Sequence, residues 1–124
     1  MDQSVYKKMH VKPNTPGKYL YAPQEYIEMT IKQDYVNFES EDTPLFIHLF
    51  IESKQDYLLK KEELVKLVTK EARIWISYRK STPKQKFDIN RDSLNTLAVQ
   101  DGFTAYSNIA LDENWSCLGF KFTN

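Results

Sequence analysis

Residues 72–94, Ala-Arg-Ile-Trp-Ile-Ser-Tyr-Arg-Lys-Ser-Thr-Pro-Lys-Gln-Lys-Phe-Asp-Ile-Asn-Arg-Asp-Ser-Leu, read as a core strand that enters a basic loop and then a capped helix. Ile74, Trp75, Ile76 and Tyr78 are β-branched or aromatic and suit a pleated, buried surface. Pro83 has no N–H for a ladder and holds Thr82 extended, so pairing should stop by about Arg79. Arg79, Lys80, Lys84 and Lys86 then follow with no acid among them. Asp88 or Asn90 can accept from the free N–H groups of a helical first turn, and Asp92 suits the positive end of the helix dipole.

The rest of the chain is arranged around that unit. Its 124 residues fit one domain, 1–124, with one well-filled core. Seventeen Lys and Arg balance seventeen Asp and Glu, so no global field draws in nucleic acid or an anionic membrane. Charge is nevertheless uneven: Glu25, Glu28, Asp34, Glu39, Glu41 and Asp42 make one acidic stretch, against the basic 79–86. Cys117 is the single cysteine, which excludes an intrachain disulfide, and no Cys/His spacing suggests a metal site. The longest apolar run, Leu45 to Ile51, is far too short to span a bilayer, and no signal-peptide pattern surrounds Lys7, Lys8 and Lys12. The expected compartment is the cytoplasm.

Upstream of the central strand, Ser4 to His10 can form a short amphipathic helix that lies over a sheet edge with Val5 and Met9 on one face. Asn14-Thr15-Pro16-Gly17 has turn chemistry, and Lys18 to Ala22 reads as the first strand. Pro23 suits the start of a helix whose inner face is Tyr26, Ile27, Thr30 and Ile31. A nucleotide-binding domain carries glycines at such a strand-to-helix turn, because only glycine lets backbone approach a phosphate closely. Here the turn is Tyr21-Ala22-Pro23-Gln24-Glu25, which disfavours a nucleotide.

Tyr35 to Glu39 forms a short strand, and Leu45 to Ile51 is apolar on both faces, as befits a parallel strand covered by helices. His48 within it reads as a neutral, hydrogen-bonded core residue. Ser53, with Asp56 three residues on, caps a crossover helix to Lys70, with Tyr57, Leu58, Leu64, Val65 and Val68 inward. After the 72–78 strand and the helix led by Asn90, with Leu94, Leu97 and Ala98 inward, Gly102 supplies a left-handed stop. Phe103 to Ala110 and Ser116 to Phe122 close the chain as an antiparallel hairpin, the second strand with one buried face.

This order predicts an α/β fold: a Rossmann-like, mostly parallel sheet with helices on both faces and a C-terminal antiparallel β-hairpin. It resembles the Rossmann-like domain of S-adenosylmethionine-dependent methyltransferases, shortened. Four segments carry a narrower resemblance: Tyr6 to Pro13, Ile74 to Lys80, Phe87-Asp88-Ile89-Asn90-Arg91-Asp92 and Leu111-Asp112-Glu113-Asn114-Trp115-Ser116-Cys117-Leu118-Gly119-Phe120. Together they resemble a family of small bacterial proteins catalogued as a domain of unknown function with a truncated methyltransferase-like fold. The resemblance implies the fold and no reaction.

With no glycine-rich loop, nucleophile–base pair or metal set, the expected function is a noncatalytic binding or regulatory module, with no cofactor. Arg79, Lys80, Lys84, Lys86 and Arg91, beside a helix N-terminus, would hold a small anionic ligand or an acidic protein segment. The alternative is a reduced S-adenosylmethionine-dependent methyltransferase or another adenine-cofactor enzyme, by analogy of fold. Nucleic acid, with phosphates on the basic loop and bases on Tyr78 and Phe87, is the least favoured partner, and a membrane is not expected. Trp115 is expected to tuck against the core or against the equivalent hairpin of a second copy in a homodimer, and Cys117 to be a buried apolar residue rather than a reactive thiol.

Overall fold

A computed structural model describes residues 1–123. In chain order the elements are α1 (Val5–Lys8), β1 (Thr15–Leu20), α2 (Gln24–Thr30), β2 (Val36–Asn37), β3 (Phe46–Ile51), α3 (Lys54–Leu67), β4 (Arg73–Arg79), α4 (Arg91–Gln100), β5 (Phe103–Ala110) and β6 (Trp115–Phe122). The strands form one six-stranded sheet in the order β2-β1-β3-β4-β6-β5. β1 is parallel to β2 and β3, and β3 to β4, while β6 runs antiparallel to both β4 and β5. The expected mostly parallel α/β sheet with a closing antiparallel hairpin is therefore the observed one. Among the described residues no helix is long and apolar enough to cross a membrane.

The central strands form where the apolar runs require them. All six residues of β3 are buried, as are Ile74 to Tyr78 of β4, because helices cover both faces. One face packs Ile47, Leu49, Ile51, Ile74 and Ile76 under Tyr57 and Leu64 of α3 and Leu94 and Ala98 of α4. The other packs Phe46, Phe50, Trp75 and Cys117 under Val5, Tyr6 and Met9 from the α1 region and Tyr26 and Met29 of α2.

The caps follow the local chemistry. Ser53 Oγ accepts from the Asp56 N–H at 2.9 Å and starts α3. Asn90 caps α4 in a reciprocal box with Ser93, each side chain taking the other's backbone N–H at 2.9 Å. Asp88, the other candidate for that cap, instead accepts from Lys54 N–H at 2.9 Å and ties the basic loop to the start of α3. Gly102 has φ 90°, the left-handed stop that its position after α4 predicts.

Four expectations need correction. Gly17 lies inside β1, not in a turn; a Cβ there would sit 2.4 Å from Val36 Cγ1, so it allows β1 and Val36 to approach. The inner face of α2 is Tyr26 and Met29, and Ile31 lies outside the helix at 80% exposure. Leu58 and Val65 of α3 also face outward. Finally, β6 has both faces buried over Cys117 to Phe120, because it inserts between β4 and β5 instead of forming an outer strand.

His48 is fully buried in a hydrogen-bonded chain. Its Nδ1 is 2.9 Å from Tyr26 Oη and its Nε2 is 2.7 Å from Ser77 Oγ. Tyr6 Oη donates to Tyr26 Oη at 2.9 Å, so the Tyr26 proton goes to Nδ1 and Nε2–H donates to Ser77. Burial pushes the imidazole pKa down to about 3 and leaves it neutral, as expected of a core histidine. Burial likewise pushes the Cys117 thiol up to about 12, so it packs as a small apolar side chain.

Candidate active site

Strand order reverses between β1 and β3, since the chain goes from β1 to β2 on one side and from β3 to β4 on the other. Helices α2 and α3 leave on opposite faces of the sheet at that point and a crevice opens outside the carboxyl ends of the strands, where open α/β sheets bind ligands. A cleft of about 630 Å³ lies there. Tyr21 and Pro23 bound it after β1, Glu52 and Ser53 after β3, and Phe87 and Trp115 close its far side.

Tyr21 ends β1 with φ 60°, an outlying conformation for a bulky residue and one that glycine adopts freely. Its ring is turned over α3: the hydroxyl donates to Glu63, and Lys60 Nζ lies 4.5 Å from the ring centroid. The hydrogen bond to Glu63 is the main cause that raises its pKa, with desolvation second. Asp56 is engaged through one oxygen, Oδ2, which accepts from Glu52 N–H at 2.8 Å and from Lys60 Nζ at 3.0 Å. Glu52 is different: its side chain is 56% exposed at the rim, and one oxygen meets Arg79 Nη1 at 3.2 Å. The cleft is thus walled by aromatic side chains, with the exposed Glu52 carboxylate at its mouth and the partly buried Asp56 beside it.

Of the five cations that sequence singles out, Arg79 is the one whose side chain contacts residues lining this cleft. Its guanidinium lies between Phe87, at 5.0 Å from the ring centroid, and Trp115, at 5.4 Å. Its Nε is buried with no hydrogen-bond partner. Lys80 Nζ donates to Asp112 O at 2.8 Å and braces the β5–β6 turn. Lys84 and Lys86 are exposed on the loop, and Arg91 pairs loosely with Asp92 at 3.5 Å on α4. Trp115 takes the first of its two expected positions, tucked against Phe50 at 5.3 Å with 5% exposure.

Glu52 was not singled out by the sequence, while Phe87 stood out only as a stacking face for bases and Tyr21 only as part of a glycine-free turn. The available signal was position, since the residue that follows an apolar parallel strand opens onto the crevice. Among the described residues no three His, Cys, Asp or Glu side chains group so as to hold a metal ion.

No family model matches the chain, and no curated protein matches its sequence. Solved structures do. A SAM-dependent methyltransferase from Aquifex aeolicus superposes with TM-score 0.61 at 12% identity, over 98% of this chain and 89% of that one. An rRNA methylase from Streptococcus thermophilus gives TM-score 0.55 at 8% identity, over 100% of this chain and 99% of that one. A LepI variant in complex with SAH and a substrate analogue gives 0.53 at 12% identity over 96% of this chain. The chain spans 39% of the LepI chain.

The fold is methyltransferase-like. This corrects the reading as a noncatalytic module, which rested on a first turn without glycine: the solved structures that share the fold favour the adenine-cofactor alternative. Within that turn Tyr21 adopts the left-handed backbone that favours glycine.

The cleft's own residues match such a cofactor in size and in the surface they offer. Its volume lies within the range of small-molecule sites. Phe87 and Leu59 offer apolar surface to an adenine, and Glu52 a carboxylate to a ribose diol or a cationic group. β2 contributes nothing, because its two residues pair with Thr15 and Pro16 at the start of β1.

Proposed function

We propose that this chain is a reduced S-adenosylmethionine-dependent methyltransferase whose cofactor occupies the cleft at the carboxyl ends of β1 and β3. The supporting observation is the accessible Glu52 carboxylate among aromatic faces at the switch point. When bound, the cofactor supplies a methyl group on a positively charged sulfur. The residues of the chain bind and orient. Glu52 accepts hydrogen bonds from hydroxyl or ammonium groups and offsets positive charge, while Arg79 holds Glu52 in place from between its two rings. Phe87 offers a stacking face, and the buried Phe50 closes the floor against water.

The exposed Lys84 and Lys86 lie on the loop that leads to Phe87 and, in this reading, draw in an anionic methyl acceptor by long-range attraction, with Lys80 and Arg91 adding to the positive field from their separate positions. The proposal takes residues 1–124 as one α/β domain of a small bacterial family, acting in the cytoplasm, on the strength of the four motif segments and the lone reduced cysteine.

Thermal shift with S-adenosylmethionine and its demethylated product is the test. Millimolar concentrations should raise the melting temperature of the native chain, and Glu52→Gln should remove most of the rise while leaving the unliganded melting temperature within about 2 °C. No rise with either compound sinks the proposal.

A further inference from the structure

We propose that a second site, at the opposite end of the sheet from the cleft, binds a small monocarboxylate with an apolar body. A hollow of about 360 Å³ opens where β1, β3 and β4 begin, on the face covered by α1 and α2. Met9, Phe46 and Trp75 form its buried floor, with Val11 and Leu45 beside them. His10, Lys12, Glu71 and Arg73 stand around its rim.

The Trp75 side chain points to a ligand. It is 1% exposed, yet its Nε1–H has no hydrogen-bond partner. A buried donor left unmatched costs about 1–3 kcal/mol, so an acceptor that met it would be bound with that advantage. The orientation of the indole follows from Gly119, its partner across the β4–β6 ladder. A Cβ on Gly119 would meet Cζ3, Cη2 and Cε3 of the indole at 2.7, 2.8 and 3.1 Å. The benzo ring therefore lies against β6, and the nitrogen side of the indole, which lines the hollow, is turned away from β6.

Charge selects the acceptor. Among the described residues no carboxylate pairs with Lys12 or Arg73, although Arg73 leans over the Tyr106 ring at 5.8 Å and keeps its N–H edges free. Lys12 and Arg73 against Glu71 leave a surplus of one positive charge, which suits a monoanion better than a phosphate dianion. The apolar floor accommodates a hydrocarbon body. Hydrogen bonding by Trp75 Nε1–H and pairing with Lys12 and Arg73 fix the carboxylate end.

The experiment is a titration of the full chain, labelled with nitrogen-15, by hexanoate, with inorganic phosphate as the second arm. The two tryptophan indole N–H signals are assigned with Trp115→Phe. The Trp75 signal should move downfield and saturate in millimolar hexanoate while the Trp115 signal stays in place. Lys12→Gln and Arg73→Gln should each weaken binding about tenfold, the loss of one charge-assisted contact. Trp75→Phe keeps a ring against Gly119 but removes the donor, and should weaken it as well. A Trp75 signal indifferent to hexanoate overturns the site, as does an unchanged affinity in the Lys12→Gln/Arg73→Gln double variant. A stronger response to phosphate overturns the monocarboxylate. The cofactor test reads the other end of the sheet, so either proposal can fail alone.

Discussion

The two faces of the sheet are held by different forces. Under α3 and α4 the contacts are mainly aliphatic, with Ile47, Leu49, Ile51, Ile74 and Ile76 at their centre, and their attraction has no preferred direction. Under α1 and α2 the packing is aromatic and encloses a line of polar atoms from Tyr6 through Tyr26 and His48 to Ser77. Each member of that line satisfies its neighbour, so α1 and α2 can dock in only one register relative to β3 and β4. The aliphatic face supplies bulk stability, and the aromatic face supplies specificity with a sensitivity to protons.

Acid is the strongest way to separate the two. His48 has its pKa lowered to about 3 by burial, against an ordinary value of 6.5, so the unfolded chain binds the proton more readily. Its contribution is complete above pH 6.5 and is lost as pH falls toward about 3. The slope for one proton is about 1.4 kcal/mol per pH unit, and several kcal/mol disappear across that window. Urea midpoints measured through it should fall in the native chain, and the dependence should flatten in His48→Gln; parallel profiles would remove the histidine from the account.

A cavity on the aliphatic face comes next. Leu49→Ala should cost about 3 kcal/mol at neutral pH, with the acid profile unchanged, because Leu49 is fully buried and touches none of the polar line. Tyr26→Phe should cost about 2 kcal/mol, since Tyr6 loses its acceptor and His48 Nδ1 its donor while the ring stays in place. Hydrogen exchange should then rise in α1 and α2 and stay low in α4. The smallest effect belongs to neither face: Asn90→Ala removes the cap of α4 and should lower stability by about 1 kcal/mol in chemical denaturation.

The aliphatic face was the readable one. Runs of β-branched residues, the Ser53 cap and Gly102 all act through neighbours close in sequence, so β3, β4 and α3 could be placed from composition and spacing. The aromatic face was not. Tyr26 and Ser77 lie 22 and 29 residues from His48, and nothing local distinguishes a tyrosine that bonds from one that only packs. Gly17 carries the same difficulty, because turn chemistry and close packing both call for glycine.

The candidate site was legible in part. Arg79 stood out because it ends a core strand, but its pairing with Glu52 follows from the parallel register that sets Ile51 against Tyr78. That register is a property of the assembled sheet. Lys80, Lys84, Lys86 and Arg91 are close in the chain and go to separate places, because the loop leaves the sheet between them.

Gly119 gives the β6 insertion a consequence of its own. Because a single methyl group at that position would collide with the indole of Trp75, the heading of a large ring is decided by an omission on the neighbouring strand. Alanine there would have to push the ring aside or prise β6 from β4, so the smallest residue of the hairpin acts as the compass of the largest side chain in the core.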